Sequence, residues 1–207
     1  MTRGDWTSVL RLLADIGWVL GLTLAVPAVV AVLASEKGLA AAFGGAAVGV
    51  ASVSYLVRRR LGELEVDSWQ ATLALTVAWP LFSVISAFPF VLGGMGGLDA
   101  IFEGVSAWTD TGLTMIQDPA TLPASLATFR ILIQWFSGLG IVMFMLLLRA
   151  SSPKAVRSLF EAEGRPEDFS IDIWRISRVV VRIYAAYTLA GAVALERVDR
   201  IPRAGRG

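Results

Sequence analysis

The chain has 207 residues, of which 56% are hydrophobic and only 17% are charged, with a net charge of +1. A soluble domain usually carries about a quarter charged residues, so the chain is depleted in charge. The apolar residues also form long uncharged runs, which is typical of bilayer-spanning helices of about 20 residues each. The sequence contains no Cys and no His, which excludes disulfides, thiol chemistry and the usual zinc sites.

Five apolar runs predict membrane-spanning helices. A tight turn at Glu36-Lys37-Gly38 separates the first two runs, and Pro80 lies inside the third. A mixed-charge loop, residues 149–175, joins the fourth run to the fifth. These features predict an all-α membrane protein. The predicted spans are residues 16–34, 39–57, 69–92, 125–148 and 176–195.

A shorter element separates the third and fourth spans. The glycine-rich residues 93–97 predict a flexible break, and residues 98–108 then predict a short helix with Asp99 as its N-cap. Such a helix is about 16 Å long, which is half the thickness of the hydrocarbon layer. We therefore expect it to lie at the surface or to enter the membrane and return.

The positions of the basic residues indicate the orientation, because Arg and Lys concentrate in cytoplasmic loops. With five spans and a cytoplasmic N-terminus, all basic clusters fall on one side of the membrane. Residues 61–129 contain no Lys or Arg, whereas Asp99, Glu103 and Asp118 lie in the segment placed outside. An acidic external mouth would attract cations. The positive-inside rule alone explains the missing basic residues but not the acidic ones.

The residues after the short helix predict a pore loop. A dehydrated cation needs replacement oxygens, which a strand rich in Thr and Gly can supply from its backbone carbonyls. Gly112 permits dihedral angles that other residues resist, and the negative C-terminal end of the short helix favours a cation nearby. Non-helical backbone at membrane depth also requires neighbours that bury it. The candidate filter residues are Thr109, Asp110, Thr111, Gly112, Leu113 and Thr114.

The stretch F-E-G-V-S-A-W-T-D-T-G-L-T, residues 102–114, resembles the first pore loop of the Trk/Ktr/HKT potassium transporter superfamily. The resemblance is closest to the N-terminal part of a TrkH-type potassium uptake membrane subunit, and it extends over nearly the whole chain. Further similar features are G-E-L at 62–64, A-F-P-F at 87–90, F-R at 129–130, Q-W-F-S-G-L-G-I at 134–141, E-A-E-G at 161–164 and I-Y at 183–184.

The resemblance implies four helix–pore loop–helix repeats arranged around one pore. On this basis residues 1–68 form two leading transmembrane helices with a cytoplasmic linker, and residues 69–149 form the first repeat. Residues 150–175 form a cytoplasmic loop, and residues 176–207 form the first helix of the second repeat with a truncated tail. The chain would therefore supply one of the four filter strands.

The resemblance also implies a function, a location and partners. It implies uptake of potassium, or of monovalent cations more broadly, across the plasma membrane (the cell inner membrane), by a multi-pass protein that is not an enzyme. Potassium is the substrate, and no cofactor is expected in this chain. The expected partners are the lipid bilayer and a cytoplasmic nucleotide-binding gating subunit that docks around residues 154–172. A homodimer is a further expectation, and no nucleic-acid partner is expected.

The resemblance assigns the filter glycine to Gly112 and places potassium at Thr111 and Gly112. Leu113 and Thr114 would contribute mainly backbone carbonyls. Asp110 departs from the family pattern, in which Thr is usual, and this puts strict selectivity for potassium over sodium in doubt. The alternative for Asp110 is a hydrogen bond to the end of the short helix or an ion pair with Arg130.

Two charges lie inside otherwise apolar segments. A charge at the centre of a membrane helix costs about 2.5–3.5 kcal/mol on insertion scales, so such groups usually find a partner. We therefore predict that Glu103 and Arg130 pair and tie the short helix to the next span, with direct ion binding as the alternative for Glu103. By resemblance Gly138 and Gly140 lie on a pore-lining helix, where packing or a hinge would explain them.

Two other classes of function remain open at this stage. One is a helical membrane protein with a structural or interaction role, which would not transport ions. The other is an enzyme, which is disfavoured because the sequence offers no phosphate-binding glycine loop and no paired carboxylates in a convincing cleft. The acidic cluster Glu63, Glu65 and Asp67 is explained by a solvated loop.

Overall fold

A computed structural model describes residues 3–62, 68–150 and 173–199 of the chain. The chain divides into two compact units, residues 1–151 and 152–207, and each is described by itself. The predicted acidic cluster at 63–67 and the predicted docking loop at 154–172 lie outside the described residues. The first unit contains helices α1 (Arg3–Leu33), α2 (Lys37–Leu61), α3 (Ser68–Leu92), α4 (Gly97–Trp108) and α5 (Ala124–Ala150), with a 3₁₀ turn at Pro119–Thr121; the second contains α6 (Ile173–Asp199).

Within the described ranges, five helices are long and apolar enough to cross a membrane. This confirms the prediction of an all-α membrane protein, and it confirms that α4, with 12 residues and a length of about 18 Å, is too short to span. The five candidate spans are Trp6–Leu33, Lys37–Leu61, Trp69–Leu92, Ala124–Val142 and Arg178–Arg197.

Helix α1 begins at Arg3 and its candidate span begins at Trp6, whereas the first span was predicted from residue 16. Charged residues that precede the predicted start lie on the helix itself. Arg11 and Asp15 pair one turn apart at 2.5 Å, and Arg58 of α2 lies 3.2 Å from the same carboxylate. Arg11 also donates to the carbonyl of Gly62 at 2.7 Å. These contacts neutralise the charges of Arg11 and Asp15, so the helix includes both residues.

The α1–α2 hairpin packs against the following helices, with α1 contacting α2, α3 and α5. The two hairpin helices approach closely, since a Cβ on Gly17 would lie 2.4 Å from the Ser54 hydroxyl oxygen. At one end of the first unit, Phe43 of α2 and Phe90 of α3 both contact Phe129 of α5, with ring centroids 5.0 and 5.7 Å apart. All three rings are fully buried, so they join three helices into one apolar core.

The prediction of Asp99 as the N-cap of α4 was wrong. The N-cap residue is Gly96, which makes no side-chain capping bond, and Asp99 lies inside the first turn. A carboxylate in the first turn still complements the positive end of the helix. The physical reason for the shift is that the glycine-rich break allows α4 to begin one residue earlier, at Gly97.

Candidate functional site

Helix α4 lies backbone to backbone against α3. A Cβ on Gly104 would lie 2.4 Å from the carbonyl oxygen of Ser83, so only glycine permits this approach. The end of α4 is fastened on two sides by polar contacts. The indole N–H of Trp108 donates to the Ser86 hydroxyl of α3 at 2.8 Å, and the Ser137 hydroxyl of α5 donates to the Trp108 carbonyl.

These contacts place the end of α4 deep between α3 and α5. Ser137 lies about 20 Å along α5 from its first residue. Because α5 begins at the end of the bundle where α3 finishes, α4 enters from that end and stops partway through. The last turn of α4 is closed by the N–H groups of Thr109, Asp110 and Thr111, which donate to the carbonyls of Val105, Ala107 and Ser106.

The chain then turns back along α4 as the return segment, residues 109–115. Two of its residues have a positive φ, Asp110 at 55° and Gly112 at 76°. As the chain advances it meets earlier residues of α4: the Leu113 carbonyl accepts from the Ser106 hydroxyl at 2.6 Å, and the Thr114 hydroxyl donates to Glu103 at 2.6 Å. The return segment therefore runs antiparallel to α4, so the chain enters along a helix and returns along non-helical backbone.

Glu103 supports the return segment from behind. Its carboxylate is fully buried, and one oxygen accepts both the Thr114 hydroxyl and the Met115 N–H, each at 2.6 Å. The other oxygen accepts from Nε of Arg130 on α5 at 2.8 Å. A buried charge is tolerated when it is paired and hydrogen-bonded. One side chain thus joins α4, the return segment and α5.

The six candidate filter residues lie together in the return segment and are exposed in this chain. The Thr109 hydroxyl bonds to the Val105 carbonyl at 2.8 Å and lies 2.6 Å from the Thr111 hydroxyl. The exposed backbone of this segment is neither helix nor sheet. Inside a membrane, such backbone must be covered by protein or line a water-filled cavity. The segment is thus an exposed edge of open backbone, supported by buried contacts.

The remaining predicted site residues lie around this segment. Arg130 pairs with Glu103, and the N–H of Asp110 donates to the end of α4 at 3.3 Å. Gly138 is buried, and Gly140 faces α3, where Cζ2 of Trp79 would lie 3.8 Å from an added Cβ. Gly138 therefore follows the residue that bonds to the end of α4, Ser137, and Gly140 lies against α3.

Sequence reasoning missed the hydroxyl groups that fix the loop. Ser86, Ser106 and Ser137 are buried and each bonds to α4 or to the return segment. Hydroxyls in apolar helices commonly bond across helix interfaces, so their presence in the predicted spans was the available signal. Their partners depend on tertiary structure, which the spacing of the residues does not give.

The fold and this site define a multi-pass helical membrane protein that carries a re-entrant backbone segment between two spanning helices. A family model described as TrkH, cation transport protein, matches residues 40–197. The chain belongs to this family, which is a family of transport proteins and not a class of enzymes. The resemblance noted in the sequence is thereby confirmed.

Individual relatives agree with the family match. The chain is 27% identical over 197 residues to the uncharacterized cation transporter MJ1485 of Methanocaldococcus jannaschii, covering 94% of this chain and 41% of that protein. It is 29% identical over 202 residues to the Trk system potassium uptake protein TrkI of Halomonas elongata, covering 93% and 40%. It is 26% identical over 185 residues to the Trk system potassium uptake protein TrkG of Escherichia coli, covering 86% and 38%. The chain thus spans about two fifths of the length of these relatives.

Proposed function

We propose that this chain supplies one wall of a filter through which potassium, or another monovalent cation, crosses the membrane. The observation that carries the proposal is the return segment, whose backbone bends at Gly112 with a positive φ and is supported from behind by the buried Glu103. A segment fixed in this way offers peptide oxygens without the need to order them when an ion arrives. Two of the relatives are potassium uptake proteins by name, which supports the same function.

In this proposal the carbonyls of Thr111 and Gly112 are the main potassium ligands, and Thr109, Leu113 and Thr114 supply further oxygens. The C-terminal end of α4 carries a partial negative charge directly beside them, which favours a cation. The exposed carboxylate of Asp110 adds a full negative charge at the same turn. We therefore infer that Asp110 raises cation affinity and weakens the preference for potassium over sodium.

One strand cannot surround an ion, so the filter needs three more strands of the same kind. We propose that they come from the parts of the longer relatives that this chain does not match, or from further copies of this chain. The assembled protein lies in the plasma membrane with a cytoplasmic N-terminus. A nucleotide-binding gating subunit docks on the cytoplasmic loop that follows α5, and a homodimer is the proposed oligomer.

Potassium uptake in a cell that lacks its own uptake systems tests the function. The chain is expressed alone and together with the unmatched C-terminal part of a Trk relative. Gly112→Ser places a side chain on a filter residue with a positive φ, and Gly94→Ser does the same in the break before α4; each of these glycines has open space around an added Cβ. We expect Gly112→Ser to lower potassium uptake at least tenfold, because raising the free-energy barrier for transport by about 1.4 kcal/mol slows a rate tenfold. We expect Gly94→Ser to leave potassium uptake near wild type.

Asp110→Thr sharpens the same experiment. We expect it to raise the ratio of potassium to sodium uptake, because it removes the carboxylate beside the filter. Equal losses in Gly112→Ser and Gly94→Ser would contradict the filter assignment. Absence of uptake in both expression conditions, with the protein folded in the membrane, would favour the structural or interaction role instead.

A further inference from the structure

The turn between α1 and α2 contacts the beginning of α5, which lies 88 residues further along the chain. One carboxylate oxygen of Glu36 accepts the N–H of Ala124 at 2.8 Å. The other accepts the N–H of Ser125 at 3.3 Å and also its hydroxyl. The first N–H groups of a helix have no partner within the helix, and a negative charge complements its positive end. Glu36 therefore caps α5 from outside the pore-loop repeat.

The capped turn of α5 is fixed by packing as well as by charge. Ser125 is fully buried, and the side chain of Leu126 fills the space beside Gly93, at the end of α3. One turn later, the ring of Phe129 packs edge-on against Phe43 of α2. In addition to the packing of α1 on α5, the leading hairpin thus contacts the first two turns of α5 through the carboxylate of Glu36 and the ring of Phe43.

The same stretch of α5 carries the arginine that supports the return segment. Arg130 lies about 7.5 Å beyond Ser125 on the same helix, and it donates to Glu103, which in turn accepts the N–H of Met115. Because a helix moves nearly as a rigid rod, a shift of its first turn displaces Arg130. A continuous series of contacts therefore runs from the α1–α2 turn to the return segment.

We propose that Glu36 is a positioning residue: through α5, Arg130 and Glu103 it sets the placement of the return segment at Thr114 and Met115. The family match begins at residue 40, so Glu36 lies outside it. The leading hairpin would then be part of the filter's support and not only a membrane anchor. This inference rests on the proposed function only for its consequence in ion selection, because the contacts exist without any ion.

Hydrogen exchange measured by mass spectrometry on the purified full chain in lipid nanodiscs tests the proposal. In Glu36→Ala we expect about fivefold faster exchange both at amides 124–126 and at Met115, since losing a cap frees the local and the connected amides. Glu36→Gln keeps one acceptor oxygen for Ala124, so it should restore most of the protection. If Glu36→Ala does not fold, hydrogen exchange is measured on Glu36→Gln instead, where the amide of Ser125 should still exchange faster than in wild type.

Lys37→Gln is the matched control, because it removes one charge from an exposed side chain in the same turn. We expect it to exchange like wild type at both places. Faster exchange at 124–126 with unchanged exchange at Met115 would overturn the proposal, since Glu36 would then be a local cap only. Equal effects of Lys37→Gln and Glu36→Ala would also overturn it.

A transport measurement separates this proposal from the proposed function. In the assembled transporter, Glu36→Ala should change the ratio of potassium to sodium uptake by at least twofold, and Lys37→Gln should not change it. If wild type does not transport but the exchange pattern is as expected, the positioning role stands and the function fails. If wild type transports and Met115 is unaffected by Glu36→Ala, the positioning role fails and the function stands.

Discussion

The two breaks that flank α4 differ in what supports them. The entry break, residues 93–96, is closed by backbone bonds alone: the N–H groups of Gly93, Gly94 and Met95 donate to carbonyls in the last turn of α3 at 3.0–3.1 Å. The return segment also begins with backbone bonds to α4, but its later residues, 113–115, are held by the side chains of Ser106 and Glu103. Both contain a glycine with a positive φ. A tight turn closes on its own backbone, whereas a segment that leaves its carbonyls open needs support from other elements.

The largest expected effect comes from removing that support. Glu103→Ala leaves Arg130 without its partner in a largely buried position, which costs about 3 kcal/mol, and it releases Thr114 and Met115. We expect a clear drop in the thermal unfolding midpoint, followed by tryptophan fluorescence, and faster exchange in the return segment. The entry break should exchange as in wild type.

The control for Glu103→Ala is Asp15→Ala, which also removes a carboxylate paired with arginine. The Asp15 side chain is 39% exposed, whereas that of Glu103 is completely buried. Asp15 and Arg58 form an exposed pair, which contributes about 1 kcal/mol or less, and the more buried Arg11 keeps its bond to the Gly62 carbonyl when Asp15 is removed. Equal losses of stability in the two variants would contradict the distinction between the two kinds of contact.

Two glycines at close helix contacts, Gly104 in α4 and Gly93 in the entry break, sharpen the comparison. A Cβ on Gly104 would meet the backbone carbonyl of Ser83 at 2.4 Å, so Gly104→Ala must push α4 away from α3 at a cost of about 2 kcal/mol. A Cβ on Gly93 would come equally close, at 2.3 Å, but to the flexible tip of Leu126, which can move. We expect Gly93→Ala to lower the unfolding midpoint by less than half as much.

If Gly93→Ala proves as destabilising as Gly104→Ala, then the entry break is as tightly constrained as α4. The measurement is again the thermal unfolding midpoint, with exchange at residues 109–116 as the local readout. We expect Gly104→Ala to increase that exchange, because it displaces α4 with Glu103 and Ser106, whereas the Leu126 tip can move without shifting the α5 backbone.

The smallest expected effect is that of one hydroxyl. Ser106→Ala removes the bond to the Leu113 carbonyl, which is worth about 1 kcal/mol. Thr128→Ala is its control, since the hydroxyl of the partly buried Thr128 bonds to the Ala124 carbonyl of its own helix. We expect slower potassium uptake in Ser106→Ala than in Thr128→Ala in the assembled transporter. The reverse order would show that Leu113 needs no support.

Most elements with local causes were predicted correctly from the sequence, although the N-cap of α4 was not. The five spans follow from runs of apolar residues, and the entry break follows from four glycines within five residues. The partnership of Glu103 and Arg130 was predicted because two opposite charges in apolar segments need each other. The structure brings those two side chains together at 2.8 Å.

The elements with distant causes were not predicted. Helix α1 extends before the predicted start of the first span, where Asp15 pairs with Arg58 of another helix. The contact of Glu103 with Met115 depends on the chain folding back along α4, and that of Glu36 with α5 joins positions 88 residues apart. No periodicity within a short window contains such information, so these bonds appear only with the tertiary structure.

The central claim is that peptide oxygens of the return segment bind a monovalent cation. An anomalous difference map from crystals of the assembled transporter grown with rubidium, a heavier substitute for potassium, tests it most directly. The account predicts a peak at bonding distance from the carbonyl oxygens of Thr111 and Gly112, and its loss in Gly112→Ser. A well-ordered return segment without any peak, or a peak at the Glu103 carboxylate instead, would contradict the account.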